Sequence, residues 1–114
     1  METIKSIIEW SKKTFPEATL EGQIDKFNTE YDEYFAADTF ADQIEELADV
    51  FIVAFGISRF SLQDGLFYID EAWQLYQKSP FVWKDLEQAI NKKMQKNRKR
   101  TWGFSNGNYQ HVEE

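Results

Sequence analysis

The chain reads as an all-α protein, a helical bundle of four to five helices. Apolar residues recur three and four apart through most of its length, both prolines stand where one helix gives way to the next, and no segment alternates apolar with polar residues over the length of a strand. One domain over residues 1–114 follows from the length, because a chain of 114 residues buries roughly 60–70% of the surface its unfolded form exposes.

The first helix runs from about Thr3 to Thr14, with Ile4, Ile7, Ile8 and Ser11 on one face, and Pro16 follows its end. Thr19 is the N-cap of a second helix reaching about Ala37, with an apolar stripe of Leu20, Ile24, Phe27, Tyr31 and Phe35. Thr39 caps a third that runs to about Phe60, with Asp42 in a position like that of a capping box. Its core face is Phe40, Ile44, Leu47, Phe51 and Phe55. A fourth helix is read over Leu66 to Gln77. Ser79 and Pro80 read as the N-cap and first residue of a fifth, ending near Arg100. Residues 103–114 contain Gly103, Asn106, Gly107 and Asn108 and read as an extended tail.

Composition excludes several kinds of function. Without cysteine there is no disulfide scaffold, thiolate zinc site, iron–sulfur cluster or thiol nucleophile. The single histidine, His111, excludes a multi-histidine metal site. Ten Phe, four Trp and five Tyr supply core material that a disordered chain lacks. The N-terminus does not read as a signal peptide, and the longest apolar run, Leu47 to Ile57, is interrupted by Asp49 and falls short of the ~20 residues a membrane helix needs. A cytoplasmic location without a membrane partner is the expectation. The balance of 13 Lys+Arg against 20 Asp+Glu, a net charge of −7, argues against a nucleic-acid partner.

That charge is unevenly spread. Between Glu17 and Asp49 the only base is Lys26, whereas Lys92 to Arg100 contains bases and no acid. On the second helix Gln23, Lys26, Glu30 and Glu33 form a row along one flank of the apolar stripe, and carboxylates three residues apart reach one point beside a helix. Such a pair is equally at home on a solvated surface. On the third helix Glu46 and Asp49 share a face that Val53 and Ile57 continue. From Leu47 to Ile57 this helix is apolar all round except at Asp49, so Asp49 is expected to be buried. A buried carboxylate needs a partner. A salt bridge is one solution. The other is a hard cation, Mg²⁺ or Mn²⁺, held by Glu30, Glu33, Glu46 and Asp49.

On the fifth helix Val82, Leu86 and Ile90 make an inward stripe whose phase, extended, reaches Lys93, Asn97 and Arg100, while Lys92, Lys96 and Lys99 point elsewhere. Beside an acidic cation site, Lys, Asn and Arg suit a phosphate chain. A helix that frays past Met94 would leave the same residues merely exposed.

Three motifs stand in order: Lys26-x-x-x-Glu30-x-x-Glu33; Glu45-Glu46-Leu47-Ala48-Asp49-Val50; and Lys93-Met94-x-x-Asn97-Arg98-x-Arg100-x-Trp102-Gly103. Together they resemble the MazG-like all-α nucleoside triphosphate pyrophosphohydrolases, and the segments around Trp10–Pro16 and Tyr109–His111 are similar to short phage and bacterial members. The resemblance implies Mg²⁺ at Glu30, Glu33, Glu46 and Asp49, and phosphate contacts from Lys93, Asn97, Arg100 and, more weakly, Lys26. It further implies attack on the α-phosphorus by a water that Glu33 or Glu46 deprotonates, giving a nucleoside monophosphate and pyrophosphate. The stretch Leu62 to Trp83 is longer and more aromatic than that family leads one to expect.

Trp10, Phe15, Trp102 and Tyr109 are candidates for nucleobase contact, and each is equally a candidate for the core. A homodimer or homotetramer is expected, because a helix apolar on all sides asks for more cover than four neighbours provide. The competing readings are a non-enzymatic helical module that binds nucleotide or protein, and a nucleic-acid contact through Lys92 to Arg100.

Overall fold

The computed structural model describes residues 1–105 and 108–112. Five helices, α1 (Ile4–Thr14), α2 (Leu20–Ala36), α3 (Phe40–Ile57), α4 (Leu62–Lys78) and α5 (Trp83–Lys99), precede an antiparallel pair of strands, β1 (Thr101–Ser105) and β2 (Asn108–Val112). The chain is thus mostly helical with one small sheet. Among the described residues no helix is long and apolar enough to cross a membrane.

Helix α3 is the axis and packs against α1, α2, α4 and α5. Leu47, Ala48 and every residue from Val50 to Ile57 are buried, so the uninterrupted apolar run is explained by burial on all sides. Helices of the same chain supply that cover. The expectation that α3 needs a second chain therefore loses its reason.

Local signals set most helix ends. Thr3 and Ser6 form a reciprocal capping box on α1. The hydroxyls of Thr19, Thr39 and Ser61 accept from the N–H groups of Gly22, Asp42 and Asp64 at 3.0, 3.1 and 3.2 Å. Because Ser61 supplies a cap, α4 begins at Leu62 rather than at the expected Leu66. Ser79 and Pro80 do not open α5. Ser79 is the last cap of α4, with ψ 162°, the extended conformation that a following proline imposes. Its Oγ donates to the Tyr76 carbonyl at 2.6 Å and accepts from the Phe81 N–H at 3.3 Å. Helix α5 starts at Trp83 with Val82 as an N-cap that makes no side-chain bond.

Four residues read on apolar faces are exposed: Ile4, Phe35, Phe40 and Val82. All lie at helix ends, beyond the reach of the core, and Tyr34 is buried in place of Phe35. The tail is also corrected. Residues 101–105 and 108–112 pair as a hairpin in which Trp102 faces His111 and Phe104 faces Tyr109. Residues 106–107 and 113–114 of the expected extended tail lie outside the described residues. The hairpin is held by the Trp102 indole N–H, which donates to the Asn97 carbonyl at 3.2 Å, and by Tyr109, whose ring lies 4.8 Å from that of Phe15.

Two contacts fix neighbouring helices. Arg59, just past α3, donates to the Ser11 carbonyl (2.7 Å), the Ser11 hydroxyl (3.1 Å) and the Phe15 carbonyl (2.9 Å). It thereby adds a second donor to two carbonyls at the end of α1 that already accept from the Phe15 and Ala18 N–H groups. Gly65 in α4 lies so close to Ser58 that a Cβ there would overlap the Ser58 backbone.

Candidate metal and phosphate site

A cavity of about 450 Å³ opens between α1, α2, α3, α5 and the hairpin. One flank of α2 contributes Gln23, Lys26, Glu30 and Glu33; α3 contributes Glu46, Asp49, Val53 and Gly56. Lys93 and Asn97 enter from α5, and Arg100 follows immediately after its last turn. Trp10, Ser11 and Phe15 come from α1 and the loop behind it, Trp102 from β1, and Gln110 and His111 from β2. Helical periodicity explains the shared flank, since residues three, four and seven apart stack along one side of α2 and of α3.

Glu30, Glu33 and Glu46 each offer a carboxylate oxygen within 4.8 Å of the others. Glu30 Oε2 and Glu46 Oε2 are buried and have no hydrogen-bond partner. Burial pushes the Glu30 carboxyl up to about 9, reinforced by the negative charges of Asp49 and Glu33 and only partly offset by Lys26. Burial, again with Asp49 and Glu33, pushes Glu46 up to about 7. Asp49 is also raised by burial, against the pull of Lys93, Lys26 and Arg100. Buried oxygens that hold charge at a loss and lack a donor are the donor set a hard divalent cation satisfies.

Asp49 does not join that triplet. Its Oδ2 lies 3.2 Å from Lys93 Nζ, and both side chains are largely buried. Three of the four expected carboxylates therefore converge on one point, and the fourth, Asp49, lines the same cavity turned to the base across it. Low exposure gives this pair more weight than a surface ion pair carries, since water screens it less. Further along α5, Asn97 is buried and its Oδ1 accepts from Arg100 at 3.3 Å. Lys92, Lys96 and Lys99 are exposed, as their phase requires.

The electrostatics fix the sign of a pH effect. A carboxyl whose pKa is higher folded than unfolded keeps its proton in the native state, so folding takes up protons between the two values and stability falls as pH rises. The contribution of Glu30 and Glu46 is fully present below their ordinary 4.5 and is lost as pH passes about 7 and then about 9. Thermal melts in chelator should show the melting temperature dropping from pH 6 to pH 9, with saturating Mg²⁺ flattening the decline. A metal-free protein that grows more stable across that interval would contradict these electrostatics.

Of the four aromatic candidates, Trp10, Phe15 and Trp102 line the cavity. Tyr109 does not; it is buried behind Phe15 and its hydroxyl accepts from the Glu17 N–H at 3.4 Å. Ser11, Gln23, Gly56, Gln110 and His111 also line the cavity. For Gln23 a signal exists in the sequence, because it occupies the same row as Lys26 and Glu30. For Ser11 the signal is a polar residue on the apolar face of α1. No protein-family model, curated protein or solved structure matches the chain, so the use of the cavity rests on its own chemistry.

Proposed function

We propose that the cavity binds a nucleoside triphosphate with a divalent cation and hydrolyses it to the nucleoside monophosphate and pyrophosphate. One observation carries the reading: a triplet of converging carboxylates, two with buried unpartnered oxygens, shares a single cavity with Lys26, Lys93, Asn97 and Arg100. These acids and bases face each other across one open cavity, with Glu33 at its exposed side, rather than standing on separate surfaces.

Glu30, Glu33 and Glu46 would hold Mg²⁺, with Mn²⁺ as the substitute, and Asp49 stands beside them. When bound, the cation supplies charge neutralisation for the phosphate chain and acidifies water, the two contributions phosphoanhydride hydrolysis needs. The residues of the chain do the rest. Lys93 and Arg100, assisted by Lys26, bind phosphate oxygens, and Asn97 is oriented by its bond with Arg100. A phosphate at Lys93 competes with Asp49 for the ammonium. Glu46, titrating near neutrality, is suited to take the proton of the attacking water; Glu33 is the other carboxylate in reach. The new bond joins water oxygen to the α-phosphorus, the bond to the bridging oxygen breaks, and pyrophosphate leaves with that electron pair. No side-chain nucleophile is required.

The test is a panel of nucleoside and deoxynucleoside triphosphates assayed for pyrophosphate with and without Mg²⁺. Metal-dependent release from at least one member, lost in Glu46→Gln and Asp49→Asn, is expected. No release from any member at micromolar protein, with nucleotide still raising the melting temperature, would replace the hydrolase by a binding module.

Self-association as a homodimer or homotetramer belongs to the same proposal, on new grounds. Phe35, Phe40, Leu66 and Phe67 are 64%, 69%, 58% and 57% exposed, and large apolar side chains left open to this extent are of the kind a second copy covers. A mass near 13.5 kDa by light scattering at micromolar concentration would overturn it.

A further inference from the structure

The cavity has a floor as well as a charged wall, and the floor is built for something the phosphate chemistry does not use. Gln23 is 4% exposed and Ser11 is 2% exposed, yet both line the cavity. The Gln23 side-chain amide makes no hydrogen bond among the described residues. An amide in the cavity wall that no protein group engages has both its donor and its acceptor available to a ligand. Between the two lies Gly56. A Cβ at this position would stand 3.4 Å from Ser11 Oγ and 3.9 Å from Gln23 Oε1, so the missing side chain leaves a gap onto which both polar atoms open.

Ser11 is not a free rotor. Its Oγ accepts from the Arg59 guanidinium at 3.1 Å, which leaves the hydroxyl proton as the group it can offer to a ligand. Gln23 offers an acceptor and a donor side by side, in either order, since the amide can rotate by half a turn. Trp10, Phe15 and Trp102 stand around the cavity at this end, edge to face, with ring centroids 5.0 to 6.1 Å apart. A planar, apolar-sided ligand with three adjacent hydrogen-bonding positions along one edge would satisfy all of these groups.

We propose that this floor reads the base of the nucleotide and selects pyrimidines over purines; the inference rests on the nucleotide reading of the same cavity. Uracil, thymine and cytosine all carry a carbonyl at ring position 2, which takes the Ser11 proton. Gln23 then spans ring position 3 and the substituent at position 4: for uracil and thymine it accepts from N–H and donates to the carbonyl, and for cytosine it donates to the ring nitrogen and accepts from the amino group. Rotation of one amide accommodates both patterns. The purines fail at the Ser11 position. Beside the matching edge, adenine places a C–H there and guanine an amino donor, so the hydroxyl proton is left buried against a group that cannot accept it. Leaving such a donor unsatisfied lowers affinity roughly 10- to 100-fold.

The experiment is binding, not turnover: α,β-imido triphosphates of uracil, cytosine, adenine and guanine, titrated into the wild-type protein with Mg²⁺ and followed by calorimetry. Both pyrimidines are expected to bind at least roughly tenfold more tightly than both purines. Ser11→Ala should narrow that ratio, and Gln23→Leu, checked by circular dichroism for native helix content, should remove it. Equal affinity of wild type for all four, within threefold, overturns the inference even if pyrophosphate release is found. A pyrimidine preference without any release leaves the inference standing and removes the hydrolase. A Gln23→Leu protein that keeps the full preference overturns it as well.

Discussion

The Glu30→Gln protein is expected to melt higher than wild type without metal, and to lose metal-dependent pyrophosphate release. Glu30 is the most strained ionisable group of the site. Its Oε2 is buried without a partner, and burial together with Asp49 and Glu33 pushes its carboxyl up to about 9. Glutamine keeps the shape and removes the charge that neutral pH forces either to be protonated or to be held against its neighbours. At pH 7 the gain is on the order of 2 kcal/mol, since each unit between the ordinary and the ambient value is worth about 1.4 kcal/mol and relaxation of the cluster returns part of it. The two proteins should converge below pH 4.5, where Glu30 is protonated folded or unfolded. Cation affinity moves the other way. An amide is a poor ligand for Mg²⁺, so stabilisation by saturating Mg²⁺ and pyrophosphate release should each fall at least roughly a hundredfold in metal concentration or rate. Calorimetric melts at pH 8 in chelator decide the first half: a variant less stable than wild type there would mean the carboxylate is not under strain.

Gly65→Ala is expected to be the most damaging single methyl group in the molecule. Its Cβ would fall within 2.5 Å of Ser58 Cα, and backbone cannot step aside as a side-chain end can. Helix α4 would have to move off α3, loosening the buried Ala72 and Leu75 behind it. Overpacking of this kind costs about 1–3 kcal/mol, at the upper end where backbone must shift. Gly103→Ala makes the comparison. There a new Cβ would meet only Val112 Cγ2 at 3.3 Å, a methyl on an exposed side chain, so its melting temperature should stay near wild type. Equal melting temperatures for the two variants would show that the α3–α4 approach is not tight.

The carboxylate triplet was legible because helical phase is rigid: Glu30 and Glu33 on α2 and Glu46 on α3 follow from spacing once the helices are neighbours. Asp49 shows the limit. Spacing places it in the cavity, but whether it turns toward the triplet or toward Lys93 depends on the distance between α3 and α5, which no periodicity encodes. Lys93, Asn97 and Arg100 were legible by the same phase argument, because α5 continues well past Met94. Tyr109 and the hairpin were not. Trp102 and Phe104 do alternate with Thr101, Gly103 and Ser105, but five residues are too few for the pattern to stand out, and the more usable sequence signal is the Asn106-Gly107 dipeptide, a pair that hairpin connections favour. Ser79-Pro80 misleads for a physical reason: proline is accommodated at the start of a helix and equally ends the one before it. Gln23 sits in the right row, but nothing in its identity says that it would be buried without a partner.

The Arg98–Glu2 contact at 2.7 Å and the Phe15–Tyr109 contact join residues at opposite extremes of the described chain. Order of synthesis gives this a consequence. The carboxylate helices α2 and α3 follow α1 from the ribosome and can collapse on it while α5 is still being made. The rings of Trp102 and Tyr109 emerge only after every helix is complete. A nascent chain therefore passes through a stage with acidic residues assembled, their opposing bases absent and one side of the chamber open. The chamber is closed by a two-stranded ribbon that would be only marginally stable alone. Its amides should be among the first to exchange with solvent hydrogen in the finished protein.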